Sequence, residues 1–150
     1  LQTRLRDIMR EDLGGTYGVG VNTSYGWQPL EKYSLTIGYG SDPERVEELA
    51  SVVFSEIEKL KESPPEESEV ADVRENFSRT LETSLESNPY WMNQLSQYYR
   101  LGVSPVSMLH YPLSIDALTP KMIQDAAQLY LDTDNYLRMT LLPVEQYQEN

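Results

Sequence analysis

An arginine and a tyrosine seven residues apart carry the clearest chemical potential in this sequence. Arg10 closes an apolar-periodic segment, Gly14-Gly15 follows, and Tyr17 opens the next segment. A helix that turns back into a strand brings the residues on either side of the turn close in space. Arginine offers a rigid fork of donors that stays charged, and tyrosine adds a hydroxyl donor. Such a pair is suited to hold a peptide carbonyl and to stabilise the oxyanion that forms during hydrolysis. The same spacing admits a plainer reading, with Arg10 paired to Glu11 or Asp7 and Tyr17 filling the core. Spacing alone leaves both open.

Other chemistry has little to work with. His110, in Met108-Leu109-His110-Tyr111-Pro112, is the only histidine, and there are no cysteines. Neither H-E-x-x-H nor its inverted form H-x-x-E-H occurs, and there is no G-x-S-x-G elbow. His110 is read as an ordinary loop residue. Gly18-Val19-Gly20 has two glycines of a dinucleotide fingerprint but lies in a strand pattern, with no third glycine in place. Metal ligands, catalytic residues and cofactors are expected to be absent from this chain, leaving Arg10 and Tyr17 as the candidate site.

The elements that must position them follow from periodicity and punctuation. Leu1, Leu5, Ile8, Met9 and Leu13 recur at helical spacing over roughly residues 1–13, and Gly14-Gly15 stops that helix. Tyr17, Val19 and Val21 alternate as one strand, and Tyr33, Leu35, Ile37 and Tyr39 as a second, with Ser24 to Glu31 the hairpin loop. Asp42-Pro43, Asn88-Pro89 and Thr119-Pro120 each pair a capping residue with a proline at the first helical position. They open helices carrying Val46 to Leu60, Trp91 to Tyr99, and Met122 to Tyr130. A further helix carries Val70 to Leu85, and Ser63 to Glu69 connects two helices. Gly102 and Pro105 break the helix of Trp91 to Tyr99, and Tyr136 to Leu142 reads as a closing strand. The fold expected is α+β, a mainly antiparallel sheet against a layer of helices, in one domain over residues 1–150.

Composition bounds the partners. The 150 residues include eleven tyrosines and carry a formal net charge of −12. That charge repels nucleic acid and anionic membranes. No apolar run is long enough to span a bilayer, and Leu1-Gln2-Thr3-Arg4-Leu5-Arg6 lack the apolar middle of a signal peptide. Residues 42–87 hold fourteen acidic side chains against five basic ones, on faces opposite the apolar stripes. These are read as solvated helix faces. The chain starts without a methionine inside what reads as a helix, and is taken as an excised piece.

The segment from Arg10 through Leu13-Gly14-Gly15-Thr16-Tyr17 resembles the C-terminal, zinc-free domain of pitrilysin/insulinase-type metallopeptidases. The likeness continues through the hairpin, Ser41-Asp42-Pro43, Asn88-Pro89-Tyr90-Trp91, Leu118-Thr119-Pro120 and Asp134-Asn135-Tyr136, most like long bacterial members. It implies a half-domain of the pitrilysin/mitochondrial-processing-peptidase type that closes a chamber opposite a zinc site. The zinc would lie in the N-terminal catalytic half of the parent, with Arg10 and Tyr17 reaching the peptide substrate. This part alone would be inactive. The family's upstream strand and helix would be missing here, exposing a sheet edge for homodimer pairing. Long bacterial relatives are often exported, which implies the periplasm or cell envelope. Alternatives are a non-catalytic structural or helper subunit of the same family, or a generic α+β interaction domain.

Overall fold

A computed structural model describes residues 1–26 and 29–143. The chain forms two compact units: Leu1–Ser63 together with the chain from Ala126 onward, and Pro64–Asp125. The first unit holds both candidate residues. It begins with α1 (Gln2–Arg6), which continues as a π-helical turn over Asp7–Asp12. Strands β1 (Val19–Gly26) and β2 (Lys32–Tyr39) pair antiparallel, Val19 opposite Tyr39 and Val21 opposite Ile37. After a 3-10 turn at Pro43–Arg45 comes α2 (Val46–Glu62). The predicted α+β layer is observed. Leu5, Met9, Leu49, Val53 and Ile57 form its buried core, and Val19, Val21, Ile37 and Tyr39 pack on it from one face of the sheet.

Alternation explains that face, because side chains two apart on a strand share a side. It also places the strand ends. Pairing runs to Gly26 and Lys32, so β1 extends three residues into the stretch expected to be loop. Trp27 and Gln28 of that loop lie outside the described residues. At the other end β1 starts at Val19, and Tyr17 stands before it. The buried stripe of α2 also includes Glu56, only 4% exposed, whose carboxylate meets Lys59 at 2.6 Å. An ion pair to the next turn lets that acid sit on an apolar face.

The second unit contains α3 (Glu67–Leu85), α4 (Asn88–Leu101) and α5 (Tyr111–Asp116), with Val70 of α3 and Ile115 of α5 buried. Arg74 ties this unit together, donating from Nε and Nη2 to the Leu118 carbonyl at 2.9 and 2.7 Å. Gly102 closes α4 at φ 68°, a left-handed conformation that glycine adopts without strain. Beyond it, the segment read as a loop around His110 is instead a 3-10 helix, Pro105–His110, followed by α5. The last helix, α6 (Pro120–Tyr130), leads back into the first unit.

The capping signals differ in outcome. Thr119 acts as expected, its Oγ1 accepting from the Met122 N–H at 3.2 Å. Asp42 makes no side-chain cap; its carbonyl instead closes the 3-10 turn from the Arg45 N–H at 3.0 Å. Asn88 lies inside α4, and the Ser87 carbonyl accepts the first helical bond. A capping box between Glu66 and Glu69 starts α3.

The closing strand is corrected. Residues Tyr136–Leu142 adopt no strand pairing, and Leu137, Met139 and Leu141 are strongly exposed. Alternation marks a segment that can pair, but a strand also needs a neighbour with free backbone groups at the right spacing. Here side chains hold it instead: Tyr136 stacks edge-on with Phe54, centroids 5.0 Å apart, and Arg138 grips Glu47 with two hydrogen bonds.

Candidate substrate-facing turn

The reversal between α1 and β1 is built from bonds across the turn. In the widened helical end, the Leu13 N–H reaches the Ile8 carbonyl at 2.9 Å, a π-type bond. The Gly15 N–H then reaches back to the Met9 carbonyl at 2.9 Å, with Gly14 at φ 56° turning the chain. Met9 is fully buried and anchors the inner side. Thr16, 8% exposed, then folds onto the backbone. Its Oγ1 donates to the Gly18 carbonyl at 2.8 Å and accepts from the Gly18 N–H at 3.1 Å.

That small side-chain loop flips the residue in its middle outward. Tyr17 is 99% exposed, and among the described residues its hydroxyl has no partner. The reading of Tyr17 as a core filler is overturned. Alternation failed here because the Thr16 turn interrupts the strand pattern before it starts. Arg10 sits in the last turn of the widened helix, its side chain 54% exposed, with Nε 3.5 Å from a Glu11 carboxylate oxygen. Asp7 pairs with Arg6 instead, at 3.3 Å. An exposed pair of neighbours in sequence holds Arg10 only weakly. Both candidate residues therefore stand on one helix-to-strand reversal and face solvent. No hydrogen bond joins them among the described residues.

Two residues that the sequence reading assigned no role in this turn complete it. Arg45 donates from Nη1 to the Leu13 carbonyl at 3.0 Å, across 32 positions. Its Nε and Nη2 bind Glu48 at 2.8 and 3.0 Å. The hydrogen bond to Arg45 holds the Glu48 carboxyl below the usual range, and that to Glu48 raises the guanidinium further. Only the three-residue spacing of Arg45 and Glu48 on a helix was visible in sequence.

The described residues contain no group of three His, Cys, Asp or Glu side chains able to hold a metal. With one histidine, exposed at the end of a 3-10 turn, and no cysteine, this donor set does not fit zinc. A shallow surface depression on α3, lined by Asp72, Glu75, Asn76 and Arg79, contains no nucleophile with a base. No described helix is long and apolar enough to cross a membrane.

The description "Peptidase M16 inactive domain" matches residues 1–77, just over half of the chain. The chain belongs to this family. The matched part of this M16 inactive domain contains Arg10, Tyr17, Arg45 and Glu48 together. The expected inactive domain of a peptidase family is thus borne out.

Solved structures agree on the fold. A protease from Helicobacter pylori is similar with a TM-score of 0.72 and 16% identity, covering 86% of this chain and 30% of that one. The periplasmic protease PqqL from Escherichia coli gives a TM-score of 0.67 and 20% identity, covering 87% of this chain and 15% of that one. The M16 domain therefore spans well under half the length of either. At these identities the likeness speaks for the fold alone. No curated protein matches.

Proposed function

We propose that this M16 inactive domain, one domain over residues 1–150, is the C-terminal half of a zinc-dependent metalloendopeptidase of the pitrilysin/insulinase type. In this reading it closes the chamber and holds extended peptide opposite the zinc site, which belongs to the N-terminal catalytic half. Arg10 and Tyr17 donate hydrogen bonds to the carbonyl at the scissile position, and more strongly to the oxyanion that replaces it. The observation that carries the reading is the complete exposure of Tyr17 on a turn fixed from both sides, within the family-matched segment. An aromatic ring left wholly in water gains nothing from burial, so ring and hydroxyl are both free to meet a peptide.

Two further features go with it. A location in the cell envelope agrees with the periplasmic setting of one structural neighbour. Pairing of two copies through the edges of the two-stranded sheet is the accompanying self-association.

The test is turnover of a quenched fluorescent peptide by the full-length protein carrying this domain. Arg10→Ala is expected to lower kcat about a hundredfold, the usual loss for one oxyanion donor, and Tyr17→Phe similarly. The ring of Tyr17 buries nothing, so neither change should shift the melting temperature. Wild-type turnover in both variants would sink the assignment and favour a structural or helper role.

A further inference from the structure

The turn that presents Tyr17 is clamped by a side chain to which the proposed function gives no role. Leu13 lies at the end of the first helix, where carbonyls have no helical partner. Arg45 supplies one, donating from Nη1 at 3.0 Å. A cation at the C-terminal end of a helix also meets the negative end of its dipole. The guanidinium cannot rotate away freely, because Glu48 takes Nε and Nη2 at 2.8 and 3.0 Å. The Arg45 guanidinium lies beside the space that a side chain on Gly15 would take. A Cβ placed on Gly15 would stand 3.1 Å from both Cζ and Nη1 of Arg45. One arginine thus holds Leu13 and borders the space beside Gly15, and Thr16 locks the next step onto Gly18.

This clamp has little to do with holding the core. Arg45 is partly exposed and Glu48 half-exposed, while Leu5, Met9, Leu49, Val53 and Ile57 pack without them. The Leu13 carbonyl belongs to an exposed residue and would be taken over by water if Arg45 were lost. What the clamp does restrict is the path of the chain from Leu13 to Tyr17. A donor that must meet an oxyanion loses rate quickly when misplaced, since about 1 Å of displacement costs on the order of a hundredfold. The pair is also close to neutral overall, so it fixes the turn without adding an uncompensated charge there.

We propose that Arg45, oriented by Glu48, is a positioning residue for Tyr17. It acts through the Leu13–Gly15 backbone and does not touch substrate. The inference rests on the reading of Tyr17 given above.

The experiment is a double-mutant cycle in the full-length protein with the quenched peptide, joined to amide exchange. Arg45→Ala should lower kcat about tenfold or more with KM nearly unchanged, and Glu48→Gln should lower it less. In a Tyr17→Phe background the same Arg45 change should cost no more than about twofold, because the hydroxyl it positions is gone. Arg45→Lys, with a single ammonium in place of the fork, should resemble Arg45→Ala and guards against a folding failure. The Gly15 amide, bonded to the Met9 carbonyl, should exchange faster in Arg45→Ala while amides of Leu49–Ile57 stay protected. An equal loss with and without the Tyr17 hydroxyl would reduce Arg45 to a structural role and overturn the proposal. Unchanged kcat or unchanged Gly15 exchange in Arg45→Ala would do the same, while leaving a Tyr17→Phe defect intact. A wild-type rate in Tyr17→Phe alone would instead remove the role of Tyr17 from the functional reading, and this inference with it.

Discussion

Replacing Gly15 by alanine sets a steric cost against an entropic gain, and the structure decides between them. Alanine restricts the unfolded chain, which favours folding by about 0.4–1 kcal/mol wherever the native backbone accepts it. Gly15 does not have a positive φ, so backbone strain is not the obstacle. The obstacle is space. The new Cβ would stand 2.9 Å from Cδ2 of Leu49, nearer than real Cβ contacts come, and 3.1 Å from Arg45. At 3.1 Å Arg45, a long side chain near the surface, need give only a few tenths of an ångström, which its bonds to Leu13 and Glu48 allow. Leu49 cannot give way, being fully buried among Leu5, Met9, Val53 and Ile57. Overpacking of this kind costs about 1–3 kcal/mol, so the net expectation for Gly15→Ala is a loss of about 1–2 kcal/mol.

The assay is urea unfolding of the chain followed by far-ultraviolet circular dichroism, comparing midpoints at constant m. Leu49→Val removes the δ-carbons, one of which blocks the new methyl, so the pair should be coupled. The double variant should be more stable than the sum of the two single losses by about 1 kcal/mol. Gly14→Ala provides a control with the opposite cause. Nothing lies within 4 Å of its Cβ position, but its φ of 56° strains an alanine, so its loss should add to that of Leu49→Val without coupling. A Gly15→Ala variant as stable as wild type, or strictly additive with Leu49→Val, would refute the account of this turn.

Two other outcomes follow from the charges and the sheet. Hydrogen bonds from Arg138, Arg45 and Lys61 hold Glu47, Glu48 and Glu58 below the ordinary carboxylate range. The unfolded chain therefore binds more protons in acid, and the stability these pairs give is complete above the ordinary range and lost as pH falls through the lowered values. Burial pushes the Tyr39 hydroxyl above its ordinary value, opposed by Arg138 and reinforced by Glu47, so its contribution is lost only as pH rises through that raised value. Melting temperature against pH should be flat through neutrality and fall at both ends, and a Glu58→Gln variant whose acid limb is as steep as wild type would contradict this. For the sheet edges, sedimentation velocity should show a dimer that grows with concentration and strengthens with added salt as the −12 charge is screened; a monomer at every concentration rules the pairing out.

How far the sequence could be read depended on whether the deciding interaction was local. The Gly14-Gly15 stop, the Gly102 break and the Thr119 cap are set by residues within one turn, and all stand where periodicity placed them. Asp42 and Asn88 show the limit of the same rule, since the backbone of Asp42 and of Ser87 took the bonds instead. The strand predicted at Tyr136–Leu142 failed for a non-local reason: pairing depends on a neighbour that alternation cannot reveal. The clamp at the turn was illegible for the same cause, because 32 residues separate Arg45 from Leu13. Tyr17 was the subtlest case. Its place in an alternating run argued for burial, and one threonine hydroxyl bonding two positions on turned it out.

That outward turn explains why an inactive domain and a substrate-holding pair belong to one reading. In water, unit charges about 4 Å apart attract by only about 1 kcal/mol, against about 4 kcal/mol at the effective dielectric near a protein surface. Tyr17 is 99% exposed and Arg10 keeps a carboxylate at 3.5 Å, so both begin in the weaker regime. A single well-placed donor contributes about 3–4 kcal/mol to an oxyanion only where water is excluded and the dipole is already aimed. The clamp and the Thr16 loop supply the aim. In the proposed function the exclusion of water comes from a second surface, since among the described residues nothing covers Tyr17. Closing that surface over the turn would also strip water from Arg10 and loosen its hold on Glu11. Both donors would then become effective in the same step that encloses the peptide.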